Sequence, residues 1–91
     1  MNGIQIHIPA FLQIYTENKR RHYVNGSTIL ECLTTLAEHF PAVKSRLFNS
    51  DDSVRGELFI YLNKSQVRRD DFSRPLTDGD EIHISHVIVG G

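Results

Sequence analysis

Residues 28–41 constrain the fold more than any other stretch. Thr28 is followed three residues later by Glu31, the spacing of a capping box. Ile29, Cys32, Leu33, Leu36, Ala37 and Phe40 then recur at helical period along one stripe. Pro41 ends the run, because the residue before a proline is pushed out of helical angles. This pattern predicts one amphipathic helix of about 12 residues, about 18 Å long. A single apolar stripe must be covered by another element, so the rest of the chain has to supply a sheet.

The flanking segments do so. Ile4-Gln5-Ile6-His7-Ile8 alternates strictly and reads as a strand burying its three isoleucines. Thr16–Lys19 reads as a turn and Arg20–Val24 as a second strand, so residues 4–24 form a hairpin with a long connection. After Pro41 a further helical turn within 42–48 points Val43 and Leu47 inward, and Asn49–Ser53 is expected to be a mobile polar loop. Leu58–Leu62 is a strand with Leu58, Ile60 and Leu62 on one face and Phe59 and Tyr61 on the other. Asn63-Lys64-Ser65 turns into a short strand at Gln66–Arg68. Thr77–Asp80 is a tight turn in which Gly79 can take positive φ, and Ile82–His86 is a last alternating strand. The fold class is therefore α+β, with about five strands in a mixed sheet on one main helix. The first and last strands, the most regular, are expected side by side at its centre.

Composition narrows the partners. With 40% apolar and 23% charged residues the chain can form a core rather than stay disordered. A net charge of −1 argues against nucleic acid, whose binding depends on neutralising phosphates. The lone Cys32 allows no internal disulfide, and no Cys/His spacing matches a zinc site, so no metal is expected. Neither a signal peptide nor an apolar run near the roughly 18 residues of a membrane span is visible, so the expected location is the cytoplasm.

The C-terminal sequence Val87-Ile88-Val89-Gly90-Gly91 does not serve packing: terminal glycines lose the most backbone entropy and have no side chain to bury. The expected organisation is a domain over 1–86 and a flexible tail over 87–91. Taken with the single helix opening at Thr28, Tyr61–Val67, the turn Pro75-Leu76-Thr77-Asp78-Gly79-Asp80-Glu81 and the strand order, this end resembles the ubiquitin-like β-grasp family. It is especially similar to prokaryotic sulfur carriers: the molybdopterin synthase small subunit, the thiamin sulfur carrier, and carriers feeding amino acids or secondary metabolites. The resemblance implies a protein co-substrate rather than an enzyme. Its reactive group would be the α-carboxylate of Gly91. An adenylating enzyme would activate it with ATP, a sulfur source would convert it to a thiocarboxylate, and a sulfur-accepting synthase would consume it, with no cofactor bound by the carrier. A metal-dependent peptidase is a further implied partner. Since the chain ends on Gly-Gly, no proteolytic unmasking is expected. Residues 87–91 reach roughly 17 Å when extended, enough to enter a partner's tunnel.

Two departures bear on the destination of the sulfur. Ser85-His86 stands where molybdopterin synthase subunits commonly carry Pro-Pro, and the stretch between the helix and the third strand is longer than in thiamin carriers. The chain looks closer to carriers for cysteine, homocysteine or thioacid metabolites. The molybdopterin role stays open, as do conjugation of Gly91 to target lysines and a plain β-grasp interaction module without tail chemistry.

Strand parity places Phe59, Tyr61, His83, Ser85 and His7 outward on one face, with Gln5 beside them. Tyr61 lies where the resemblance puts the ubiquitin family's interaction patch, and exposed aromatics are enriched at interface centres. These residues are the expected partner surface. Cys32, on the helix stripe, reads as a buried structural thiol. The five histidines read as scattered exposed imidazoles, with His83 and His86 on opposite faces of their strand. Lys19-Arg20-Arg21 reads as a solvated edge, and Asp51-Asp52 and Asp70-Asp71 as loop chemistry. No nucleophilic triad or phosphate-cradling loop is visible.

Overall fold

The computed structural model describes residues 3–86, so the sequence expectations for the tail at 87–91 lie outside the described residues. Its elements are β1 (Ile4–His7), α1 (Ala10–Gln13), β2 (Arg21–Val24), α2 (Ile29–His39), α3 (Lys44–Leu47), β3 (Leu58–Leu62), β4 (Ser65–Gln66) and β5 (Glu81–His86). Short 3-10 turns occupy Pro41–Val43 and Arg69–Asp71.

The five strands form one sheet in the order β2-β1-β5-β3-β4. The first and last strands are neighbours and parallel, with Ile6 paired to Ile82. The other neighbours are antiparallel. Central position explains the strict alternation of β1 and β5: each is paired on both sides and buries one full row of side chains.

The helix α2 starts as its sequence dictates. Glu31 N–H donates to Thr28 Oγ1 at 3.1 Å, and Glu31 Oε1 accepts from Ser27 N–H, one residue before the N-cap, at 3.1 Å, a variant of the capping box. Leu30 N–H, another of the unpaired first-turn donors, is taken by the carbonyl of Phe72 at 3.2 Å. The stripe Ile29, Cys32, Leu33, Leu36, Ala37 and Phe40 is buried against Ile4, Ile6, Ile60, Ile82 and Ile84 of the sheet. Val43 and Leu47 point inward as expected, and Phe48, Val54 and Phe72 extend the core beyond the sequence reading.

The structure adds detail to two connections and corrects the bounds of one strand. The long connection after Pro9 holds α1, whose Leu12 is buried, and Gln13 Nε2 donates back to the carbonyl of Ile8 at 2.9 Å. The polar 49–53 segment is closed by its own hydrogen bonds. Asn49 N–H donates to the Ser53 carbonyl at 2.8 Å, Asp51 accepts from Ser53 N–H, and Phe48 bridges Val54. Arg69 holds the end of this segment by donating to the carbonyls of Val54 and Arg55. The fourth strand is Ser65–Gln66 and not Gln66–Arg68. Its two-residue turn explains the shift, because Asn63 and Lys64 both take positive φ, as a tight hairpin requires, and Ser65 is thereby already paired.

Candidate functional site: the open face of the sheet

The helix covers one face of the sheet, so alternate residues of every strand form the other. Strand register carries one row across all five strands: Arg21, His7, His83, Tyr61 and Gln66. Phe59 and Ser85 pair in the neighbouring row, and Tyr23, Gln5 and Glu81 form the next on the opposite side. The structure thus brings Phe59, Tyr61, His83, Ser85 and His7 onto one surface. Phe59 is 37% exposed and Tyr23 61%, while Tyr61 is half-buried between strands. Tyr23, Glu81 and Gln66 belong to the same face but were not singled out from sequence. Glu81 has the parity of His83, and the signal for it was the placement of the last strand beside the first.

The rim of this face is stapled. Asn63 Nδ2 donates to Asp80 Oδ1 at 2.9 Å, and Asn63 Oδ1 accepts from Glu81 N–H at 2.9 Å. Asp80 Oδ2 in turn accepts from Thr77 N–H at 2.8 Å, which closes the turn in which Gly79 has φ 91°. The start of β5 is therefore fixed by side-chain hydrogen bonds from two turns.

The histidines are not scattered. Four of them form two pairs: the rings of His7 and His83 stack at 3.9 Å, and His22 Nε2 meets His39 Nδ1 at 2.9 Å. The fifth, His86, ends β5 with its ring 4.2 Å from that of Phe11. A cleft of about 300 Å³ at this end is lined by Phe11, Ser45, Arg46, Arg55, Glu57 and His86. Both arginines there are engaged: Arg46 donates to the Tyr15 hydroxyl at 2.7 Å, and Arg55 to Glu57 at 2.7 Å. This is where β5 hands over to residues 87–91.

Cys32 is fully buried, and its burial, reinforced by the Glu31 carboxylate, pushes its thiol up to about 11. It is inert packing in the core and not a nucleophile. Among the described residues no helix is long and apolar enough to cross a membrane.

The model of the ThiS family matches residues 6–91. The chain belongs to the ThiS family. Its members are ubiquitin-like β-grasp sulfur carriers, and the mixed five-stranded sheet on one helix is their architecture. Comparison with curated proteins gave no significant match. Solved structures share the fold of this ThiS-family chain. The CysO of an Amycolatopsis orientalis BexX/CysO complex is 24% identical, with a TM-score of 0.85, covering 97% of this chain and 99% of its own. The small archaeal modifier protein 1 of Methanosarcina acetivorans is 23% identical, with a TM-score of 0.86, covering 100% and 98%. Mycobacterium tuberculosis CysO is 20% identical, with a TM-score of 0.82, covering 93% and 99%.

Proposed function

We propose that this protein is a sulfur carrier that acts as a co-substrate through the α-carboxylate of Gly91. The family match, which runs through Gly90-Gly91, is the observation that carries this reading. The chemistry is balanced in two steps. The carboxylate attacks the α-phosphorus of ATP and releases pyrophosphate, leaving an acyl-adenylate. A hydrosulfide-level nucleophile then attacks the acyl carbon and expels AMP, leaving a thiocarboxylate. An ionised carboxylate is a poor electrophile at neutral pH, and the mixed anhydride supplies the leaving group it lacks. The carrier contributes a docking surface and a tail: the face around Phe59, Tyr61, His83, Ser85 and His7 binds the activating enzyme, and Val87, Ile88, Val89 and Gly90 deliver Gly91. The product feeds a sulfur-accepting synthase for an amino acid, a cofactor or a thioacid metabolite.

Two substitutions separate docking from chemistry. Tyr61→Ala removes an aromatic from the centre of the face and should weaken association with the activating enzyme by about 2 kcal/mol, about thirtyfold. Gly91→Ala leaves that face untouched but places a methyl group beside the reacting carbon, so adenylation should fall much further than affinity. Normal binding by Tyr61→Ala would remove this face from docking. Normal adenylation of Gly91→Ala would remove the terminal carboxylate from the mechanism.

A further inference from the structure

We propose that His7, Glu81 and His83 form a three-ligand site for a zinc-class divalent cation on the open face of the sheet. The residues come from the two central parallel strands: Gln5 pairs with Glu81 and His7 with His83, so Glu81 sits one row below the two imidazoles on the same side. Glu81 Oε1 is shared. His7 Nε2 lies 3.0 Å from it and His83 Nε2 3.6 Å. One donor atom from each of the three residues lies within 4.8 Å of the other two.

These distances suit a metal. Zinc–nitrogen bonds of about 2.0–2.1 Å and zinc–oxygen bonds of about 2.0–2.2 Å put ligand atoms of a tetrahedral ion about 3.3 Å apart. Both contacts to Glu81 lie within a few tenths of an ångström of that spacing. Two neutral imidazoles and one carboxylate are a borderline donor set that suits zinc, with the fourth position open to water or to a ligand from outside. The scaffold is preorganised where precision matters. Strand pairing fixes all three backbones, and Asn63 clamps Glu81 by accepting its N–H and by donating its own N–H to the Glu81 carbonyl at 2.9 Å. The side chains are only partly exposed, His7 27%, His83 37% and Glu81 46%, so they are reachable without unfolding and restricted enough to act together. Both Nε2 atoms face the same carboxylate oxygen, but the rings stack 8° from parallel, and an ion lies near the plane of each imidazole that binds it, so binding turns at least one ring out of the stack.

The test needs neither a partner nor the tail, so it stands apart from the carrier reading. The full chain is titrated with Zn²⁺ alone in chelator-free buffer, by calorimetry and by NMR of the histidine rings. The expected result is one equivalent bound, with the ring signals of His7 and His83 shifting together. His7→Ala and His83→Ala should each bind at least about tenfold more weakly, since even outer-shell losses cost about that much. Glu81→Gln should weaken binding while leaving the melting temperature near that of the parent. His39→Gln, which alters only the other histidine pair, should change nothing. The proposal is overturned if excess Zn²⁺ gives neither heat nor ring shifts. It is overturned equally if binding survives His7→Ala and His83→Ala, or follows His39→Gln.

Discussion

Gly26 gives the sharpest check on how the helix is seated. A Cβ added there would lie 2.7 Å from Cys32 Sγ, 3.2 Å from Cys32 N and 3.4 Å from Cys32 Cα. Ordinary carbon contacts are about 3.5–4.0 Å, so something must move. Sγ cannot retreat, because Cys32 is fully buried in the core. The backbone cannot swing away, because this helical turn is pinned by Thr28 and by the Phe72 carbonyl. Overpacking of this kind costs about 1–3 kcal/mol, and the reduced freedom of the unfolded alanine chain offsets about 0.4–1 kcal/mol of it. Gly26→Ala should therefore destabilise by about 1–2 kcal/mol. Cys32→Ala removes the nearest of the three contacts. In that background Gly26→Ala should cost about 1 kcal/mol less, a coupling that a double-mutant cycle isolates. Urea unfolding of the four proteins, compared at constant slope, measures it. Equal costs in both backgrounds, or a gain in stability on Gly26→Ala, would refute the close approach of this loop to the helix.

Two further outcomes follow from the core and from the second histidine pair. Leu36 is fully buried under the sheet, so Leu36→Ala should cost about 2–5 kcal/mol in the same assay, and a cost below about 0.5 kcal/mol would mean that this helix face does not pack the sheet. Burial first, then the positive charges of His39 and Lys19, hold His22 below its ordinary value of 6.5. The native state therefore disfavours the protonated ring. The stability tied to neutral His22 is fully present above 6.5 and is lost as the pH falls through the lowered folded value. Melting temperature should drop on acidification across that window, and His39→Gln should flatten the drop; an unchanged slope would contradict the coupling.

The sequence made the architecture legible where one force dominated. The stripe from Ile29 to Phe40 with its cap at Thr28, and the isoleucine alternation of β1 and β5, are hydrophobic burial written at two periods, and both elements formed as read. The placement of β1 beside β5 followed from that regularity. What stayed hidden depended on turn conformation or on contacts across the fold. Lys64 adopts φ 77° without being a residue that favours it, so the hairpin closed one residue earlier than its composition implied. Arg69 and Asn63 hold loops through side-chain hydrogen bonds that leave no periodic trace. The open face was partly legible: parity gave the outward residues, but the meeting of His7, Glu81 and His83 needs the parallel register of two strands about 75 residues apart in sequence. Chemistry of the tail is a matter of resemblance, since Val87 to Gly91 carry no pattern that packing explains.

The most direct test of the central claim is the intact mass of the chain after incubation with its activating enzyme, ATP and sulfide. A gain equal to replacement of one oxygen by one sulfur, mapped to the peptide ending in Gly91 and absent without ATP, is the expected result. An unchanged mass with adenylation intact, or Gly91 found joined to lysines of other proteins with no thiocarboxylate formed, would contradict the account of this protein as a sulfur carrier.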